Sequence, residues 1–459
     1  MSREREAGVD GTSAEREAAA FAASLDLGGV PGGALDRATL VVADSLGAIL
    51  GGSTAPYVAA FAEQCRGGPA TVLGTDRTAP VTRAALANGS AGTVLELDEG
   101  HKYSTGHPAM HVLPAVIAVA EAEQPDGGGN VDAGRRFLAS FVAGYEVGAR
   151  VGVACVPLAP EYHMHGVWGT VGAAAAVTHY RGYDAGTTLE AMRIGANHAL
   201  HTRFDAATEG ATVRNTYAGM SAMNGILAAD QAAAGFTGLE DGLARHLDRL
   251  CAEGFDREAV ADALGERWEI SRGYFKNHAA CRYTHGALDA LDVIETRASV
   301  DPDAVASVLV ETYPDAARLT EPRPGNDLEA KFSIPFAVAT RLINGDSAKA
   351  SFADEALTEA AYALAERVTV TAADDLAARV PEARSTRVTI ELEDGTELVE
   401  EIRYPKGDEQ NPFTVPELRG KFRTLASPVI GRGSAERLWE TARGLPDADP
   451  RTLWETARP

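Results

Sequence analysis

The sequence predicts a mainly α-helical fold: a large all-helical domain built from both chain ends, carrying an inserted α+β lid domain. Three observations support it. Residues 12–270 present one helical pattern after another, with alanine and glycine prominent on the packed faces. Near residue 272 the pattern changes to a β-like alternation that ends in a strong hairpin. After residue 405 amphipathic helix returns and runs to the end. The expected units are residues 1–271 for the first part of the helical domain, 272–405 for the lid and 406–459 for the rest of the helical domain. A cleft between two such units is a common place for a ligand.

The charged opening "MSREREAGVDGTSAEREAAA" reads as a short tail leading into a helix. "LDRATLVVADSLGAILGG" sets Leu35, Leu40, Val41 and Leu46 near helical spacing and stops at Gly51-Gly52. "APVTRAALANGSAGTVLEL", "VLPAVIAVAEAE", "RRFLASFVAGYEVGARVGVAC" and "VWGTVGAAAAVTHYRGYD" follow as helices whose small residues let neighbours approach closely. This half shows no convincing strand and no fixed-period repeat. "DGGGN" at 126–130 reads as a flexible loop. With no GxxxxGK(S/T) and no GxGxxG after a strand, nucleotide binding has no support. In the lid, "AVASVLVETYPDAA" and "RVTVTAADDL" alternate. In "STRVTIELEDGTELVEEIRYPKG", Val388, Ile390 and Leu392 lead into an "EDGT" turn and a returning strand. "VPELRGKFRTLA" and "SAERLWETARGL" close the chain as amphipathic helices.

The 459-residue chain carries a net charge of -23, and lysine is scarce, six against 36 arginines. Nucleic acid is a poor partner, because phosphate contacts need clustered basic side chains. A dispersed acidic surface with little lysine fits a salt-rich cell interior, where screening relieves self-repulsion. A melting temperature that climbs steeply between low and molar KCl is then expected. Cys65, Cys155, Cys251 and Cys281 are scattered without a CxxC, which argues against a zinc ribbon and a disulfide scaffold. No run approaches the roughly 18 apolar residues of a membrane span, and the N-terminus lacks an apolar signal region. A cytoplasmic protein with no membrane partner is expected.

The chemistry concentrates in "ELDEGHKYSTGHPAMHVLPAVIAVAEAE", Glu96 to Glu123, whose first sixteen residues hold three acids, three histidines and a lysine. His101, His107 and His111 can ligate a metal, but no HExxH or CxxC accompanies them. Pro108 makes His107 an N-terminal residue of the following helix. There its neutral form is favoured, and Asp98 can orient it for acid–base work. A solvated polar loop is the third reading. His163 and His165 precede a Gly/Ala-rich helix, where an imidazolium and helix N–H groups suit an anion; two loop histidines are the plain alternative. Arg214 can clamp a carboxylate or form a surface ion pair. In "YFKNHAACRYTHGALDAL", Lys276 can serve as base or carboxylate ligand, and Cys281 with His285 as a thiol–imidazole pair or as packing. Ser333 is placed to cap the helix after Lys331.

Seven segments in order resemble the MmgE/PrpD family, which includes 2-methylcitrate dehydratase, cis-aconitate decarboxylase and iminodisuccinate epimerase. They are "LVVADSLGAILGG", "ANGSAGTVLELDEG…GHPAMHVLPAVIAVAE", "FVAGYEVGARVG", "YHMHGVWGTVGAAAAV", "FKNHAACRYTHGALDA", "KFSIPFAVA" and "NPFTVPELRGKF". The resemblance implies a helical domain with an α+β lid, a homodimer, and a site for a small di- or tricarboxylate between the two units. It implies His107, His163, Lys276 and Asp98 as catalytic residues; Arg214, His101, Glu96, His165 and Tyr145 are expected to bind substrate. No metal and no cofactor are expected. His101, Lys102 and Glu99 are expected at the rim. Three positions depart from the decarboxylase pattern. Glu96-Leu97-Asp98-Glu99-Gly100 stands in place of D-x-D-D-T, Arg214 in place of a lysine, and Phe336 in place of a tyrosine. The implied activity is that of a cofactor-independent hydro-lyase resembling 2-methylcitrate dehydratase, in which His107, His163 or Lys276 removes a proton α to a carboxylate. The alternatives are an epimerase of an amino-dicarboxylate, a decarboxylase, and a non-catalytic carboxylate-binding protein.

Overall fold

A computed structural model describes residues 11–123 and 131–459. The first ten residues of the charged tail and the "DGGGN" segment lie outside the described residues. The fold is mainly α. Helices Pro108–Glu123, Val131–Ala154, Gly169–Arg181 and Tyr217–Ala233 pack on one another at the centre of the body. Their small residues set the spacing. A Cβ on Gly144 would lie 2.6 Å from the Gly172 carbonyl oxygen, so only glycine permits this crossing.

The stretch Asp132–Ala154 corrects the expectation that no run is long and apolar enough to span a membrane: it passes that test. However, 94% of its apolar window is buried inside the protein, as befits the core helix of a bundle.

The helix Gly32–Gly52 stops at the predicted glycines and buries Leu40, Val41 and Leu46. At the other chain end, Thr414 and Glu417 form a capping box at the start of helix Val415–Ile430. That helix packs on Gly32–Gly52, and Arg432–Gly444 packs on both, so the chain end returns to the N-terminal helices.

Strands that the sequence pattern did not reveal do occur in the first half. β1 (Ala70–Thr71) pairs with β2 (Thr78–Ala79), and β3 (Gly100–His101) pairs with β4 (Gly273–Tyr274). Two-residue strands carry no alternation to read. The β3–β4 pair matters for the site, because it ties the acidic segment to the chain around Lys276.

A four-stranded sheet follows, formed by β5 (Val305–Thr312), β6 (Val368–Ala372), β7 (Thr386–Leu392) and β8 (Glu397–Ile402), in the order β6-β5-β7-β8. β5 and β6 are parallel; the other neighbours are antiparallel. The hairpin predicted from "EDGT" is present, with Gly395 at φ 84° in the turn and Ile390 opposite Leu398. Helices His285–Glu295 and Ile334–Asn344 pack on this sheet around Val308, Val310, Val388 and Ile390. Ser333 caps the second helix as expected, its hydroxyl accepting from the Phe336 N–H.

Candidate active site

After helix Val81–Thr93 the chain turns through Glu96, whose φ of 51° lies in the left-handed region. β3 then pins the segment to β4, and the chain reaches His107 immediately before the proline-started helix Pro108–Glu123. This path aims three functional groups inward. The Glu96 carboxylate pairs with the Arg214 guanidinium, and its second oxygen lies 2.7 Å from Lys276 Nζ. Asp98 Oδ1 lies 3.4 Å from the same ammonium, and Asp98 Oδ2 lies 3.0 Å from His107 Nδ1. All five residues are buried.

Burial opposes ionisation of Asp98, but His107 and Lys276 outweigh it and hold the carboxyl well below the usual range. Burial likewise works against the Lys276 charge, and Glu96 with Asp98 reverse that and raise its pKa. Lys276 is therefore a charged clamp on the two carboxylates. The expectation of Lys276 as a base is corrected, since it is charged and does not line the cavity that holds His107.

The hydrogen bonds set the proton positions on two imidazoles. His107 Nδ1 lies 2.6 Å from the Glu99 carbonyl oxygen, which can only accept. Nδ1 therefore carries the proton, and in the neutral ring Nε2 holds the lone pair. His163 is the reverse: the His165 backbone N–H donates to its Nδ1 at 3.0 Å, leaving the proton on Nε2. Burial, with Arg214 and His107 nearby, drives His163 well below the usual histidine range and keeps it neutral. The expected imidazolium at His163 and His165 is thus corrected: a buried ring beside Arg214 stays uncharged. The His165 ring centroid is 4.5 Å from His107, 4.8 Å from His163 and 5.2 Å from His111. Neither ring nitrogen of His165 or His111 has a hydrogen-bond partner among the described residues, and burial takes His111 down to about 3.

A 260 Å³ cavity opens onto this group. Glu96, His107, His163 and Arg214 form one part of its wall. Residues that sequence reasoning missed form much of the rest: Arg282, Arg318, Arg384, Tyr274, Tyr283 and Tyr313. Arg282 lies over the Tyr274 ring at 4.4 Å, and Arg384 donates to the Lys102 carbonyl oxygen at 2.7 Å. "CRYTHGA" carried Arg282 and Tyr283 next to Cys281, but nothing in the local pattern around Arg384 marks it. Phe204 and Phe332 add apolar wall; Phe204 stacks on His163, and Arg214 lies over Phe332.

Several expected binding residues lie elsewhere. His101 is fully buried, with Nε2 3.1 Å from Glu269, because β3 turns it away from the cavity. Tyr145 donates to Glu99 at 2.5 Å behind the site, and burial pushes the Glu99 carboxyl up to about 8. Glu99 is thus not at the rim. Lys102 does line the cavity, but its ammonium is held by Asp408 at 3.0 Å and Glu409 at 3.2 Å. His165 sits behind His107 and His163, outside the cavity wall. Phe336 is core and fully buried, away from the cavity. Cys281 lines the cavity as a neutral thiol, pushed up to about 11 by burial, and His285 has other partners. Two groups have ligand atoms close enough to hold a metal ion: Asp98, His107 and His165, and separately His278, Asp289 and Asp292.

Comparison with known proteins meets this geometry. The family model described as the MmgE/PrpD N-terminal domain matches residues 16–248, and that of the MmgE/PrpD C-terminal domain matches residues 278–447. The chain belongs to the MmgE/PrpD family. Among its relatives, the cis-aconitate decarboxylase-like protein oryM of Aspergillus oryzae is 27% identical over 442 residues, 91% of each chain. Cis-aconitate decarboxylase of Aspergillus terreus is 24% identical over 455 residues, covering 93% of this chain and 91% of the relative. The Mus musculus cis-aconitate decarboxylase is 26% identical over 393 residues, covering 81% of this chain and 77% of the relative. In this MmgE/PrpD protein, His107, Asp98 and Arg214 fall within the N-terminal family domain. Arg282 and Arg384 fall within the C-terminal one. The two family domains therefore share the cavity wall.

Proposed function

We propose that this protein is a lyase that transfers a proton at the carbon next to a carboxylate of a small di- or tricarboxylate. The opposed protonation of two imidazoles carries the reading. His107 Nε2 offers a lone pair and His163 Nε2 an N–H hydrogen-bond donor, and both residues line the same cavity. In water elimination, His107 takes the Cα proton and, as imidazolium, passes it to the departing hydroxyl, while the neutral His163 Nε2–H donates a hydrogen bond to that oxygen. Arg214, Arg282 and Arg384 hold carboxylates, and Arg214 supports the charge that develops on the nearest one. Asp98 steadies the imidazolium formed at His107. A 2-methylcitrate dehydratase-like hydro-lyase is the first reading, since it uses both the base and the N–H donor.

The names of the relatives favour a second outcome of the same site, loss of CO2 from a cis-aconitate-like substrate. There, protonated His107 would return a proton to the carbanion. We further propose a homodimer in a cytoplasmic setting.

One experiment separates the chemistries. The protein is incubated in D2O with 2-methylcitrate, citrate, cis-aconitate or iminodisuccinate and followed by NMR. Water loss supports the hydro-lyase, CO2 loss the decarboxylase, and deuterium exchange without net change an epimerase. No reaction with any of the four would count against the proposal.

A further inference from the structure

Four of the chain's six lysines, Lys276, Lys349, Lys406 and Lys421, line one 540 Å³ cavity distinct from the one onto which His107 opens. Two of them are already ion-paired, Lys276 with Glu96 and Asp98 and Lys421 with Asp44 at 2.7 Å, so Lys349 and Lys406 are the cations this wall offers to a ligand. Glu417 is the one carboxylate among the residues of this wall, and it is engaged in the capping box with Thr414. The Lys349 ammonium has no hydrogen-bond or ion-pair partner among the described residues. Lys406 Nζ lies 3.1 Å from Glu417 at the partly exposed rim, where such a pair is weak and easily exchanged. Apolar wall completes the cavity through Leu97, Phe413 and Leu425, with Lys406 Nζ 5.0 Å from the Phe413 ring centroid.

We propose that this cavity is an effector site for a small organic anion, phosphorylated or carboxylated, whose apolar part lies against Phe413. Lysine suits such a ligand, being a mobile point charge with three donors, whereas the other cavity uses planar guanidinium groups. The position explains how an occupant would be felt. Lys421 donates to the Leu97 carbonyl oxygen at 2.7 Å, and Lys276 clamps Glu96 and Asp98 on either side of it. The segment that orients His107 is thus held from this cavity. Binding there does not depend on the proposed reaction, and it is tested without turnover.

Isothermal titration of the full-length protein with inorganic phosphate, phenyl phosphate and benzoate is the test, run at fixed KCl because screening weakens every such contact. One saturable site is expected, with phenyl phosphate or benzoate binding more tightly than inorganic phosphate. The tighter of the two identifies the anion class. The double variant Lys349→Ala/Lys406→Ala should weaken binding by at least about fivefold. Arg318→Ala, at the mouth of the other cavity, should leave it unchanged. Lys349→Glu, a change at an exposed side chain, should act in the same direction as the double variant. Unweakened binding in the lysine variants, binding lost with Arg318→Ala, or no saturable binding up to about 20 mM of any probe would overturn the proposal.

Discussion

Replacing Lys276 with methionine keeps most of the side-chain volume and removes one buried charge. At an effective dielectric of about 20, contacts at 2.7 and 3.4 Å correspond to about 6 and 5 kcal/mol of attraction before desolvation. Desolvation of the ammonium offsets much of this, and breaking a buried pair typically costs about 3–5 kcal/mol. That range is the expected loss for Lys276→Met, measured by urea unfolding at neutral pH in molar KCl. Lys276→Arg should lose less, since it keeps the charge.

The pH dependence has a defined sign. The folded state holds the Asp98 and Glu96 carboxyls below their ordinary range, so their contribution is present above about pH 4 and fades as pH falls. Lys276 is raised, so its contribution is present throughout this range. The gap between wild type and variant should therefore narrow as the pH is lowered from about 6 to 3. A neutral, base-competent lysine predicts the opposite: methionine would be tolerated or stabilising. A loss below about 1 kcal/mol, or a gap that widens on acidification, would refute the charged-clamp account.

Other expectations follow from neighbouring groups. Glu99 is held up near 8 against an unfolded value near 4.3, so its contribution falls as pH rises between them. Glu99→Gln should gain on wild type by about 3–5 kcal/mol between pH 5 and 8 in urea unfolding. Asp98→Asn removes the charge beside His107 but leaves the Glu99 carbonyl to hold the Nδ1 proton. Steady-state kinetics should show kcat/KM lower by about a hundredfold, less than the roughly 10⁴-fold loss that follows a wrong tautomer. Phe336→Tyr places a hydroxyl in the core. It should cost about 1–3 kcal/mol in thermal or urea unfolding and add no activity.

Much of the fold was legible because local pattern and final packing agree. The Gly51-Gly52 stop, the "EDGT" turn and the Thr414–Glu417 cap each rest on nearby residues alone. His107 and Asp98 were legible because they lie in one short segment and Pro108 fixes the helix start. Other groups depend on distant pairing. Arg214 meets Glu96 across more than a hundred residues, and Arg384 reaches the Lys102 carbonyl across nearly three hundred. His101 shows the converse error. It is close to His107 in sequence, yet the pairing of β3 with β4 turns it toward Glu269. Lys276 looked like a base because lysine is rare in this chain and aromatic and apolar residues surround it. Its two carboxylate partners, which fix its charge, come from a distant part of the helical body.

In the proposed reaction His107 Nε2 moves the proton at the substrate carbon. The direct measurement is deuterium incorporation into the reacting substrate in D2O, wild type against His107→Ala, followed by NMR in a single turnover. A loss of about 10³-fold is expected, with the fold intact by circular dichroism. Incorporation at the wild-type rate in the alanine variant would contradict it.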